Sequence, residues 1–302
     1  MNWFFIALGA PFLWAIVNHA DKYLLSKYFK GKNVGALLIF STLVAILVLP
    51  TLYFINPSVL QVSPRNITIL IIAGIISSTA VAFYLYALKE DETSVVIPLF
   101  QIIPIFSFIL AFIILGETLT VRQIIGSILI ICGSIFIAMD IGKKFALKGR
   151  VLGLMVGSSF LFALYETIFK FVAVDEGFIV SSFWEYTGLF IVGVFFFTFV
   201  KNYRRQFIGL IKLRPIFMLS YNTASEILTV AGNLLTNFAI LLAPVTLVLS
   251  VANLQPMFVF ILGILITLFL PKIAREKISR TVIFQKIISL VIIICGSYFL
   301  NY

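Results

Sequence analysis

The sequence predicts an all-α integral membrane protein of ten transmembrane helices, arranged as two inverted five-helix repeats. Composition, ten long apolar segments and a set of repeated motifs lead to that reading. The chain has 302 residues, of which 62% are hydrophobic and only 11% charged, with a mean hydropathy of +1.15. A soluble domain carries about a quarter charged residues, so the solvent for most of this chain is lipid. A net charge of +10 would suggest nucleic acid in a soluble protein. Here the Lys and Arg residues fall between apolar segments, as loop charges of a membrane protein do, and no nucleic-acid partner is expected.

The apolar segments are read in order at 4–25, 34–54, 67–88, 95–115, 124–139, 151–172, 178–200, 216–242, 244–270 and 282–300. Crossing about 30 Å of hydrocarbon takes about 20 helical residues. Runs this continuous are helices, because barrel strands alternate over about ten residues. The first segment lacks a basic n-region and a small-residue cleavage site, so it reads as a helix and not a removable signal. The fourth and ninth each contain an internal proline, Pro104 and Pro256. The fifth carries Gly126, Ser127 and Gly133, residues suited to close helix contact. Residues 1–302 thus form a single transmembrane unit, with a first repeat over 1–142 and a second over 148–302.

Loops after segments 1, 3, 5, 7 and 9 hold seventeen of the 22 Lys and Arg residues, whereas the alternate loops hold only Arg65 and Arg122. The positive-inside rule then puts the odd-numbered loops in the cytoplasm and both termini outside. The expected setting is a prokaryotic cytoplasmic (inner) membrane.

Repeated motifs divide the chain. Pro-Ile-Phe-Ser-Phe-Ile-Leu at 104–110 matches Pro-Met-Phe-Val-Phe-Ile-Leu at 256–262 in five of seven positions, at an offset of 152. Ile-Ile-Cys-Gly-Ser occurs at 130–134 and again at 293–297. Gly9, Phe12, Ala15 and Lys22 are answered by Gly157, Phe160, Ala163 and Lys170, 148 residues on. Five helices is an odd number, so the second half must enter the membrane from the opposite side. Inverted repeats of this kind recur in transporters, where the halves exchange conformations around a central site.

Several motifs resemble the EamA type of the drug/metabolite transporter superfamily over essentially the whole chain. They are Trp14 with Lys22, Phe162 with Lys170, and Leu115-Gly-Glu-Thr-Leu-Thr120 followed by Gly126 and Gly133. Glu276-Lys-Ile-Ser279 answers in the second half. The resemblance implies a 5+5 fold with a central cavity lined by segments 1, 3, 4, 6, 8 and 9. The chain departs from it in its loop charges, since many EamA-type members place both termini in the cytoplasm. That departure bears on the direction of transport.

Polar groups inside a membrane are costly and usually face a cavity or a partner, so depth ranks the candidates. Glu226 lies twelve residues past Arg214, about 18 Å deep at 1.5 Å per residue. It is suited to a substrate ammonium or a coupling proton. Asn253 and Gln101 each precede a matched proline by three residues, beside a carbonyl that the proline frees. Tyr165, Tyr84 and Asn222 complete the expected substrate-binding set, with Asn233 and Gln255 ranked lower. Glu166 and Lys170 are four apart on one helix face and able to pair. They form the expected gating or coupling set with Lys22, Asn18 and Glu185. Trp184 reads as an interfacial belt residue, Glu117 as a turn residue and His19 as a wet polar residue.

The single histidine and two isolated cysteines exclude multi-histidine metal sites and a disulfide framework. There is no P-loop, and no catalytic or metal site and no cofactor is expected. The expected activity is secondary active transport of a small organic metabolite, such as an amino acid, by alternating access in the export direction. A flippase for a lipid-linked or nucleotide-activated sugar is the alternative carrier. An intramembrane lipid-modifying enzyme and a non-transporting subunit are the alternatives of other classes. Expected partners are the small-molecule substrate, membrane lipid and a coupling proton, with the chain a monomer or homodimer.

Overall fold

A computed structural model of the chain describes residues 3–24, 34–90, 96–138, 148–213, 215–269 and 280–301. All regular structure among the described residues is helical. The helices are α1 (Trp3–Leu24), α2 (Val34–Leu43), α3 (Ala45–Ile55), α4 (Pro64–Glu90), α5 (Ile103–Leu115), α6 (Val121–Ala138) and α7 (Gly149–Glu176). They continue with α8 (Phe178–Phe199), α9 (Lys201–Leu213), α10 (Pro215–Leu242), α11 (Val245–Ala252), α12 (Gln255–Phe269) and α13 (Arg280–Asn301). Short 3-10 turns cover Pro57–Leu60 and Ile97–Ile102.

Seven stretches are long and apolar enough to cross a membrane by length and composition, from Trp3–Ala20 to Val245–Phe269. Leu99–Leu115, Val121–Ile137 and Phe284–Leu300 are shorter apolar helices, near the lower limit of about 17 residues for a span.

Three expected segments are subdivided. Segment 34–54 breaks at Val44, where Leu47 bonds back three residues to the Val44 carbonyl. Segment 95–115 begins as a 3-10 turn, and segment 244–270 breaks at Asn253–Leu254. Pro104 and Pro256 each stand second in a new helix, where a missing N–H costs nothing. Those helices start at Ile103 and Gln255, the same 152 residues apart as the prolines. Residues 201–213, read from the sequence as loop, form the amphipathic helix α9.

The helices pack in corresponding pairs: α4 on α7 as α10 on α1, and α5 on α7 as α12 on α1. Helices α6 and α13 cross at glycines. A Cβ on Gly126 would lie 2.8 Å from the Gly296 carbonyl, and one on Gly296 would lie 2.8 Å from that of Gly126. Further along, Gly133 faces the Ser289 carbonyl. As the number rises on α6 it falls on α13, so these two helices run antiparallel. Where α4 meets α8, a Cβ on Gly74 would run into the Glu185 backbone and one on Gly188 into that of Ile71. Helix α11 is the most enclosed element, with all eight residues buried.

Contacts define two ends of the bundle. At one end Asn66 bonds Glu176, and Trp184 donates to the Val59 carbonyl at 2.7 Å. The α5–α6, α7–α8 and α10–α11 turns lie here. At the other end Lys148 donates to the Glu90 carbonyl, Tyr221 to that of Ala20, and Gly35 to the Gln206 side chain. Helix α9 and most of the described loop cations lie at this second, basic end.

Candidate functional site

Helix α5 ends at Gly116, which adopts the left-handed conformation at φ 66°, open to glycine at little cost. The Glu117 amide reaches back to the Ala111 carbonyl, closing the helix end. Three residues on, Thr120 and Gln123 bond each other's backbone amides in a capping box that starts α6. These local rules fix the turn that carries Glu117.

That turn aims Glu117 across the end of the bundle. One carboxylate oxygen lies 2.5 Å from Lys170 Nζ, and the other accepts the Val245 amide at 2.8 Å. Lys170 also donates to the Ala243 carbonyl at 2.7 Å. The Glu117 carboxylate therefore caps the N-terminus of α11 while pairing with α7, both favourable for an anion at a helix start. Both side chains are nearly buried, at 13% and 14% exposure. This clasp ties the α5–α6 turn, α7 and the α10–α11 turn together.

The expected Glu166–Lys170 pair is not formed. Spacing of four residues permits it, but Lys170 is taken by Glu117 and Ala243, whereas Glu166 accepts the Tyr165 hydroxyl at 2.5 Å. Glu166 belongs to a buried polar cluster between α7, α8 and α10. There, Asn237 donates to Glu185 at 2.6 Å, and the two carboxyls are close enough for their charges to interact. Tyr186, buried beside them, neighbours Asn233 and lies within electrostatic reach of Glu226. Among the described residues, Glu166 Oε2, Asn237 Oδ1 and the Ser181 and Ser182 hydroxyls have no hydrogen-bond partner. Glu166 and Glu185 are thus held by neutral donors. A carboxyl group away from water is stable only when protonated or paired with a cation.

Gln101 and Asn253 meet at the two helix breaks. The Gln101 amide points to the Asn253 carbonyl at 3.4 Å, and the Asn253 amide donates to the Phe100 carbonyl at 3.3 Å. Each thus serves the backbone of the other broken helix, while Gln101 Oε1 is buried without a partner among the described residues. Tyr84 packs against Phe100 with ring centroids 4.9 Å apart and planes tilted by 47°. Asn222 is buried and bonds the Met218 carbonyl of its own helix. Glu226 and Asn18 are half-buried in α10 and α1. The Lys22 side chain, and Glu276, lie outside the described residues.

Three partners escaped the sequence reading. Glu117 read as a turn residue because its contacts lie 53 and 128 positions away. Asn237, next to Thr236, and Tyr186, between Glu185 and Thr187, are the other two. Their signal was available, since polar groups in a lipid-spanning helix are costly. His19, expected to be wet, instead bonds the Val259 carbonyl at 2.9 Å, and Trp184 pins the Val59 turn.

An all-helical chain with several membrane-crossing stretches and a buried polar centre defines the class as a multi-pass membrane protein. Within that class, residues 1–139 match the family model described as the EamA-like transporter family. Trp14, Lys22 and Leu115–Thr120, which carry the family resemblance, lie within that stretch. A crystal structure 13% identical in sequence shares the fold, with a TM-score of 0.61 over 99% of this chain and 96% of that chain. No curated protein matches the chain. Family match and helical bundle together support a membrane transporter.

Proposed function

We propose that the chain is a secondary active carrier of a small organic metabolite, an amino acid or similar zwitterion, exported by alternating access. In this reading the ten apolar helices are ten spans in two inverted five-helix repeats. The carrying observation is the antiparallel packing of α6 on α13, the helices that share Ile-Ile-Cys-Gly-Ser. Repeats of equal orientation would place such mates parallel; inverted ones place them antiparallel. The mutual bonding of Gln101 and Asn253, a second pair at matched positions, supports the same reading.

The substrate ammonium binds at the carboxyl cluster, with Glu226, Tyr165, Tyr84, Asn222 and the two amides lining the path. Glu166 and Glu185 exchange the coupling proton. The Glu117–Lys170 clasp closes one mouth, and Asn18 and Lys22 act at the other. In this reading, which the loop charges support, the clasp end lies outside the cytoplasm, with both termini.

A thermal-stability screen of the purified chain against the amino acids tests this first, since a ligand at about 100 times its Kd stabilises by about 2.7 kcal/mol. Uptake of each hit into proteoliposomes follows, with and without a pH gradient. A panel in which no zwitterion stabilises or enters sinks the substrate class. Uptake by Glu166→Gln or Glu185→Gln with an unchanged gradient response removes that carboxyl from coupling.

A further inference from the structure

Helix α9 has two faces with different work. Its inner face is docked: the Tyr203 hydroxyl bonds that of Tyr86, Gln206 accepts the Gly35 amide at 3.0 Å, and Phe207 packs on Phe40 with centroids 4.7 Å apart. Leu210 is buried in a cluster with Ala36 and Met218. Gly35 leaves room for this approach, since a Cβ there would strike the Tyr203 ring. The helix is therefore fixed against α2 and cannot roll.

Its outer face carries Lys201, Arg204, Arg205, Ile208, Gly209 and Lys212, which line an open groove of about 380 Å³. Spacings of three, four, seven, eight and eleven put all six on one side of a helix. Helix α9 contains no acidic residue, and among the described residues none of the four cations forms an ion pair. The middle of the groove is small and apolar: Ile208 is 39% exposed, and nothing lies within 4 Å of a Cβ built on Gly209. One residue separates α9 from α8 and one from α10. Connections that short keep it beside the ends of α8 and α10 at the basic end of the bundle, within reach of lipid headgroups there.

We infer that this groove binds the phosphate of an anionic phospholipid headgroup, with Arg204, Arg205, Lys201 and Lys212 as its donors and Ile208 against the glycerol and first acyl carbons. The site is separate from the transport path. Its ligand is the lipid and not free phosphate, because the tethered helix faces a leaflet where phosphate is held at high local concentration. Each cation near an anionic surface contributes about fivefold to binding.

The test is thermal unfolding of the purified full chain titrated with phosphatidylglycerol, phosphatidylcholine or soluble glycerol phosphate. Phosphatidylglycerol should raise the melting temperature, and neither of the others should. About 1 M KCl, with a Debye length of about 3 Å, should abolish the rise. In R204Q/R205Q the midpoint lipid concentration should increase about 25-fold. Gly209→Glu sets a carboxylate in open space and favours the helix, so it keeps the fold while repelling the phosphate; it too should lose the rise. Retention of the wild-type response by Gly209→Glu overturns the inference, as does an equal rise with phosphatidylcholine or glycerol phosphate.

Discussion

Glu166 in α7 and Asn18 in α1 stand 148 residues apart, at matched places in the two halves of the chain, yet their surroundings differ. Around Glu166 lie Tyr165, Glu185 and Tyr186, with Asn237 on Glu185. Asn18 is half-buried, and no acidic residue occupies the interior of α2, α4 or α6. The packing plan is nearly two-fold, since α4 meets α7 as α10 meets α1; among the described residues the fully buried acids, Glu166 and Glu185, belong to the second half. In the proposed cycle, similar helix contacts would let the two halves exchange shapes, and the one-sided cluster would carry the chemistry. Scaffold and chemistry can therefore be disturbed separately.

The largest effect should come from the loaded side. Glu166→Gln and Glu185→Gln should each lower uptake in proteoliposomes about 30- to 100-fold, the equivalent of a hydrogen bond to a charged group. Asn18→Ala should lower it no more than about threefold. Equal losses at Asn18 and Glu166 would erase the contrast between halves. Next comes the scaffold: Gly188→Leu forces apart the α4–α8 crossing and should destabilise the protein by about 3 kcal/mol, read from its unfolding midpoint. Asn237→Leu withdraws the donor from Glu185 and should cost about 2 kcal/mol; a silent variant would mean that Glu185 is satisfied in another way. The smallest effect is the amide crossing. A double-mutant cycle of Gln101→Leu and Asn253→Leu should give a coupling of about 0.6 kcal/mol, the usual worth of a polar contact between membrane helices. A coupling of zero would dissolve the link between the two broken helices.

The long helices were legible because lipid leaves a backbone no alternative. Every apolar segment falls on helices over its described residues, and the breaks at Ile103 and Gln255 follow from prolines visible in the sequence. Helix α9 was not legible from hydropathy, because its four cations mask the apolar face formed by Tyr203, Phe207 and Leu210; its 3.6-residue periodicity was the missed signal. Partner choice was the hardest part. Glu166 and Lys170 satisfy a local spacing rule, but Lys170 found a carboxylate brought from another turn by the left-handed Gly116. A four-residue spacing says which side chains can meet; only the fold says which do.

The central claim is that the clasp end must open for each transport cycle. Exposed Cys132 and Cys295 are first replaced by alanine. Glu117→Cys and Lys170→Cys are then joined by a short, reducible bifunctional thiol reagent, and uptake is measured in proteoliposomes before linking, after linking and after reduction. Uptake should stop on linking and return to its starting rate on reduction. A linked protein that transports at the unlinked rate would contradict the account.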